Sequence, residues 1–158
     1  MVTVVPHLWF GNDKALEAAR FYAEHIPDSR VGRVLSARTD AETVVGGIVE
    51  FTVAGTDVIG LNAGPHFRLD EAFSFYLRVD DQHEVDHYWE LLTAGGGETS
   101  QCGWCKDPYG VSWQVVPRRL EELCGDYSTQ ANRRVAAALM QMTKIDIATL
   151  ERAHAGAD

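Results

Sequence analysis

The chain has 158 residues, 46% of them apolar, which suits one domain or two small modules sharing a core and excludes a disordered chain. Its 23 acidic residues against 14 basic ones leave a net charge of −9, which disfavours nucleic acid as a partner, because phosphate contacts need clustered Lys and Arg. No apolar run approaches the roughly 20 residues of a membrane helix. Met1–Val5 lacks the basic and apolar regions of a secretory leader, and three cysteines are an odd number for a disulfide framework. A soluble, reduced, cytoplasmic protein away from membranes is expected.

Val2–Phe10 reads as a strand, with Val4, Leu8 and Phe10 on one face and Val5, His7 and Trp9 on the other. Pro6 lacks a donor and marks an edge. Gly11-Asn12 ends the strand, and Asn12 is the expected N-cap of a helix over Asp13–His25. Ala15, Leu16, Ala19, Tyr22 and Ala23 form its stripe. Strands Arg30–Ala37, Val44–Ala54 and Asp57–Leu61 follow, closed by Asn62-Ala63-Gly64-Pro65.

The pattern then restarts. Ala72–Val79 is a strand, and Asp81-Gln82-His83-Glu84 has capping-box spacing for a helix reaching Thr93. After the glycine run Gly95–Gly97 come strands Glu98–Lys106 and Val111–Val116, joined by the turn Asp107-Pro108-Tyr109-Gly110. Val111, Trp113 and Val115 share one face of the last strand; Ser112, Gln114 and Val116 share the other. Cys102-x-x-Cys105 has redox spacing, but within one strand the two thiols would point to opposite faces. Helices over Ser128–Met142, with Val135, Leu139 and Met142 as an apolar stripe, and over about Asp146–His154 form a tail that either covers the domain or packs on a partner chain.

Strand–helix–strands thus occurs twice, offset by about 69 residues, Leu8 falling on Leu77. Half a chain of this size can hardly bury its own sheet face. The fold class expected is α+β: two βαβββ-type modules, 1–64 and 65–119, forming a curved open sheet with helices outside, followed by a C-terminal helical tail, 120–158.

The repeat, Leu8-Trp9-Phe10, Cys102-Gly103-Trp104, Gly110-Val111-Ser112-Trp113-Gln114-Val115-Val116-Pro117 and the tail motif Met140–Ile147 resemble the vicinal oxygen chelate superfamily. That is the fold of glyoxalases, bleomycin-resistance proteins and extradiol dioxygenases. The match is nearest its PhnB-like branch, which carries the label 3-demethylubiquinone-9 3-methyltransferase. The resemblance implies a cavity-lining face and places metal-ligand positions at Val5, Gly60, Ser74 and Gln114. Val and Gly cannot coordinate, and Ser and Gln are weak ligands beside imidazole or carboxylate, so no metal is expected. A displaced site on His7 and Glu50 is the alternative. No glycine-rich fingerprint follows a strand, so no cofactor is expected either.

On the cavity face His7, Glu50 and Gln114 are the catalytic candidates, His7 and Glu50 as general base and orienting partner. Trp9, Asn62, Ser74, Tyr76, Cys102, Trp104 and Ser112 are the candidates for holding substrate. Three functions stay open: a metal-independent small-molecule enzyme, a protein that sequesters a small aromatic ligand, cationic ones included, as bleomycin-resistance relatives do, and a metal-dependent lyase or dioxygenase. A homodimer is expected, because the family pairs and the tail helix has a stripe to cover.

Overall fold

The computed structural model describes residues 1–38 and 44–157. The chain divides into two compact units, Met1–Asp70 and Glu71–Asp158. Each carries an open, mixed four-stranded sheet, and the fold is α+β.

The first unit runs β1 (His7–Phe10), α1 (Ala15–His25), β2 (Arg30–Arg38), β3 (Val44–Val53) and β4 (Thr56–Asn62). The sheet order is β1-β4-β3-β2, with β1 and β4 parallel and the other pairs antiparallel. Leu8, Phe10, Val49, Phe51, Val53 and Val58 are buried on one face, and α1 lies over it on Ala15, Ala18, Ala19 and Tyr22. Close approach is what the alanines allow. A Cβ at Gly60 would sit 2.9 Å from that of Ala15, so glycine is required there.

Two expectations change here. The first strand starts at His7, and Val2 and Val4 are 94% and 93% exposed. Continuing the parallel register, Val2 and Thr3 would have to pair with Ala54 and Gly55, where β3 turns into β4. Pro6 does lie beside an edge strand; its carbonyl accepts from the Ile59 amide at 2.9 Å. The helix starts at Ala15 and not at Asp13, which sits at φ 58°. Asn12 accepts from the Lys14 amide at 3.2 Å, ahead of the helix, whereas Asn62 accepts from the Ala15 amide at 3.0 Å. The end of β4 therefore satisfies one of the free amides of α1.

The second unit repeats the plan with β5 (Phe75–Val79), α2 (Gln82–Thr93), β6 (Glu98–Thr99), β7 (Trp104–Lys106) and β8 (Ser112–Pro117), in sheet order β5-β8-β7-β6. Asp81 caps α2 by accepting from the Glu84 amide at 2.9 Å, and Glu84 accepts from the Asp80 amide, one residue outside a true capping box. The strand expected over Glu98–Lys106 is broken in two, because Ser100–Gly103 forms a turn with Cys102 at φ 58°. Cys102 is thus in a turn, and Cys105 alone is in a strand. The turn before β8 is tied by Asp107, 2% exposed, which accepts from the amides of Tyr109 and Val111 and from Nε1 of Trp113 at 2.9, 3.0 and 2.8 Å.

The tail contains a helix absent from the sequence reading, α3 (Arg118–Cys124), followed by α4 (Gln130–Leu139) and α5 (Ile147–Ala155). Pro117 at its N-cap, φ −70°, leads directly from β8 into α3. Val116, Leu120, Leu123, Cys124, Val135, Ile145 and Leu150 form one buried cluster, with Leu139 and Met142 packed against it. The α4 stripe is covered by its own chain, so it gives no reason for a partner chain. Gln82 fastens the tail to α2, donating to the Ile145 carbonyl at 3.1 Å and accepting from the Ile147 amide at 2.9 Å.

Candidate functional site

In each unit the helix covers one sheet face, and the catalytic candidates belong to the opposite face, which in the second unit the tail partly covers at Val116. Strand pairing lines up equivalent residues on these opposite faces. In the first unit His7 pairs with Ile59 and Ile59 with Glu50. In the second Tyr76 pairs with Gln114 and Gln114 with Trp104. Each set is a row across three strands, and strands lie about 4.8 Å apart, so the outer members are separated by roughly 10 Å at the backbone.

The rows move one position inferred from the sequence. Leu8 pairs with Gly60 as Leu77 pairs with Val115. Gly60 therefore belongs to the face under α1, and the counterpart of Gln114 is Ile59. The positions that the resemblance singles out become Val5 and Ile59 in the first unit and Ser74 and Gln114 in the second. Two of these are hydrocarbon. The other two are occupied with each other: Gln114 Nε2 donates to Ser74 Oγ at 3.0 Å. These side chains do not fit a divalent ion. Among the described residues no group of three or more His, Cys, Asp or Glu side chains could hold one.

His7 and Glu50 share their face but not a hydrogen bond. His7 is exposed at the end of the row. Glu50 is gripped by Arg33, whose Nε lies 2.8 Å from Oε2 and whose terminal nitrogen lies 2.6 Å from Oε1. The hydrogen bond to Arg33 holds the Glu50 carboxyl below its ordinary range. A carboxylate so held is a poor base. A β-bulge at Val31–Val34 aims Arg33 across the hairpin. A cavity of about 310 Å³ opens beside Glu50, lined also by Val5, Arg30, Thr52, Asp57 and Ile59.

The remaining candidates separate. Asn62 faces α1 as its cap. Trp9 donates Nε1 to the Gly64 carbonyl at 2.8 Å and meets Phe67 edge-on, with centroids 5.0 Å apart. Ser112 is buried, 2% exposed. Cys102 is half-buried with Sγ 3.7 Å from Sδ of Met140, and its amide donates to the Met142 carbonyl at 2.8 Å; it docks the tail. Ser74, Tyr76, Gln114 and Trp104 stay together.

The tail supplies a residue that the sequence reading missed. Glu121 on α3 accepts from the Tyr76 hydroxyl and from Nε of Arg78, each at 3.0 Å. Burial, reinforced by this bond, pushes the Tyr76 hydroxyl up to about 12. The guanidinium of Arg78 lies 5.3 Å from the Tyr76 ring centroid. The one available signal was alternation, which puts Tyr76 and Arg78 on one strand face; nothing local points to Glu121, 43 residues beyond Arg78.

A family model described as 3-demethylubiquinone-9 3-methyltransferase matches residues 2–116. No curated protein matches the chain. Among solved structures it is similar to the PhnB protein of Bacillus cereus, with 25% identity, 73% of this chain and 99% of that one covered, and a TM-score of 0.60. A protein of Pseudomonas aeruginosa is 19% identical over 74% of this chain and 98% of its own, with a TM-score of 0.57. The fosfomycin resistance protein FosX of Listeria monocytogenes is 17% identical over 77% of this chain and 94% of its own, with a TM-score of 0.53.

Proposed function

Because the chain belongs to the 3-demethylubiquinone-9 3-methyltransferase family, and with it to the vicinal oxygen chelate superfamily, we propose that it takes up a small organic molecule without a protein-bound metal ion. The observation that carries this reading is the Gln114–Ser74 hydrogen bond. It joins two positions at which the resemblance puts metal ligands, and it uses an amide and a hydroxyl that bind organic groups better than cations.

Binding and positioning fit the geometry better than acid–base catalysis, since Glu50 is committed to Arg33. The second reading is a metal-independent enzyme using Glu50 and His7; the cavity beside Glu50 favours it, and it requires a substrate that displaces Arg33. The active form in this proposal is a cytoplasmic homodimer built from modules 1–64 and 65–119 with the tail 120–158.

The test is native mass spectrometry of the full chain against a small-molecule library, with and without EDTA. Bound compounds that persist in EDTA are the expected result. Compounds that bind only when a divalent ion is present would contradict the proposal.

A further inference from the structure

The second unit's row offers a specific chemistry. Gln114 spends one N–H on Ser74. An amide has two N–H donors and an acceptor oxygen, and a hydroxyl that accepts can still donate. The pair can therefore present a donor and an acceptor side by side. Tyr76 and Trp104 stand on either side of Gln114 as its register partners on β5 and β7. Aromatic walls with a polar floor suit a flat molecule placed edge-down.

Charge narrows the class. The ionic groups nearest the row are paired within the unit: Arg78 with Glu121 at 3.0 Å and Lys106 with Glu71 at 2.9 Å. Among the described residues beside the row, no unpaired charge is offered to an anion. A cation fares no better, since Arg78 already lies over the Tyr76 ring.

The tail completes the wall. Val116 lies two residues beyond Gln114 on the same strand face and belongs to the cluster with Leu120 and Ile145. Glu121 fixes the Tyr76 hydroxyl. The family match ends at Val116, so Glu121 and the rest of the tail lie outside what the family model describes.

Resting on the metal-free reading above, we propose that Ser74, Tyr76, Trp104 and Gln114 form a binding site for a planar, uncharged ligand carrying adjacent donor and acceptor groups, as in a carboxamide. Glu121 is the positioning residue that holds Tyr76 as one wall.

The experiment titrates the full chain by ligand-observed NMR with benzamide, benzoate and phenyltrimethylammonium, in EDTA and with added Mn²⁺. Benzamide binds wild type about tenfold tighter than either charged probe. Gln114→Leu and Ser74→Ala each weaken benzamide by about fivefold to tenfold, the scale of one hydrogen bond, with benzoate unchanged. Glu121→Gln, which keeps an acceptor for the Tyr76 hydroxyl, binds benzamide within about twofold of wild type, and Glu121→Ala loses severalfold. Circular dichroism melting confirms that each variant is folded. Preference for a charged probe, benzamide binding insensitive to Gln114→Leu, or binding of no probe overturns this inference and leaves the metal-free reading to its own test. Binding that requires Mn²⁺ overturns the metal-free reading itself.

Discussion

Asp107 shows how much one buried side chain can organise. Its carboxylate accepts three hydrogen bonds, two from its own turn and one from the indole of Trp113. Trp113 is 1% exposed and pairs with both Phe75 and Cys105. The turn motif that the sequence marked thus has its polar residue turned inward, as an anchor and not as a reactive group. Asp107→Ala removes the acceptor of these three hydrogen bonds and should cost about 3 kcal/mol or more, read as a lowered denaturation midpoint.

Cys105 makes a pH prediction at the same scale. Burial, with Asp107 nearby, pushes its thiol up to about 12 from an ordinary value of 9.0. Between these values the unfolded chain releases the proton and the folded chain keeps it, so rising pH favours unfolding. This contribution is complete below about pH 9 and is lost progressively towards pH 12. Cys105→Ala should flatten the alkaline limb of a stability–pH profile while leaving the limb below pH 7 unchanged.

At the scale of elements, the strands and long helices were legible because period-2 and period-3.6 patterns are local. What was not legible depended on distance in sequence. Asn62 reads as a cleft residue until the fold brings it to the start of α1, 47 residues away. Glu50 reads as a candidate base until a bulge in β2 turns Arg33 onto it. Helix α3 has only 7 residues, too short to show a period, and Cys102 entered a strand on paper because nothing local announces a left-handed φ at a cysteine. The tail stripe was correctly read as apolar, but its cover is Leu120, Ile145 and Leu150 of the same chain. Leu150→Ala should therefore destabilise the second unit by about 2–5 kcal/mol, and chemical denaturation should show it as a shifted midpoint.

At the scale of the whole molecule, the repeat is the informative feature. The duplicated plan was visible in the 69-residue offset, and the family match bears out the superfamily it suggested. Strand register then shows what each copy did with the same three positions. One copy holds His7, Ile59 and Glu50; the other holds Tyr76, Gln114 and Trp104. Sequence spacing places Gln114 but puts Gly60 where the register puts Ile59, since an error of one residue in a strand exchanges its faces. The corrected position is more apolar still, and the case for organic recognition is stronger for it.

The most direct measurement is calorimetric titration of the untagged, EDTA-treated full chain with Mn²⁺, Zn²⁺ and Ni²⁺. The account predicts no stoichiometric binding at micromolar concentrations and no change on Gln114→Leu. One equivalent of tightly bound metal that Gln114→Leu abolishes would contradict it.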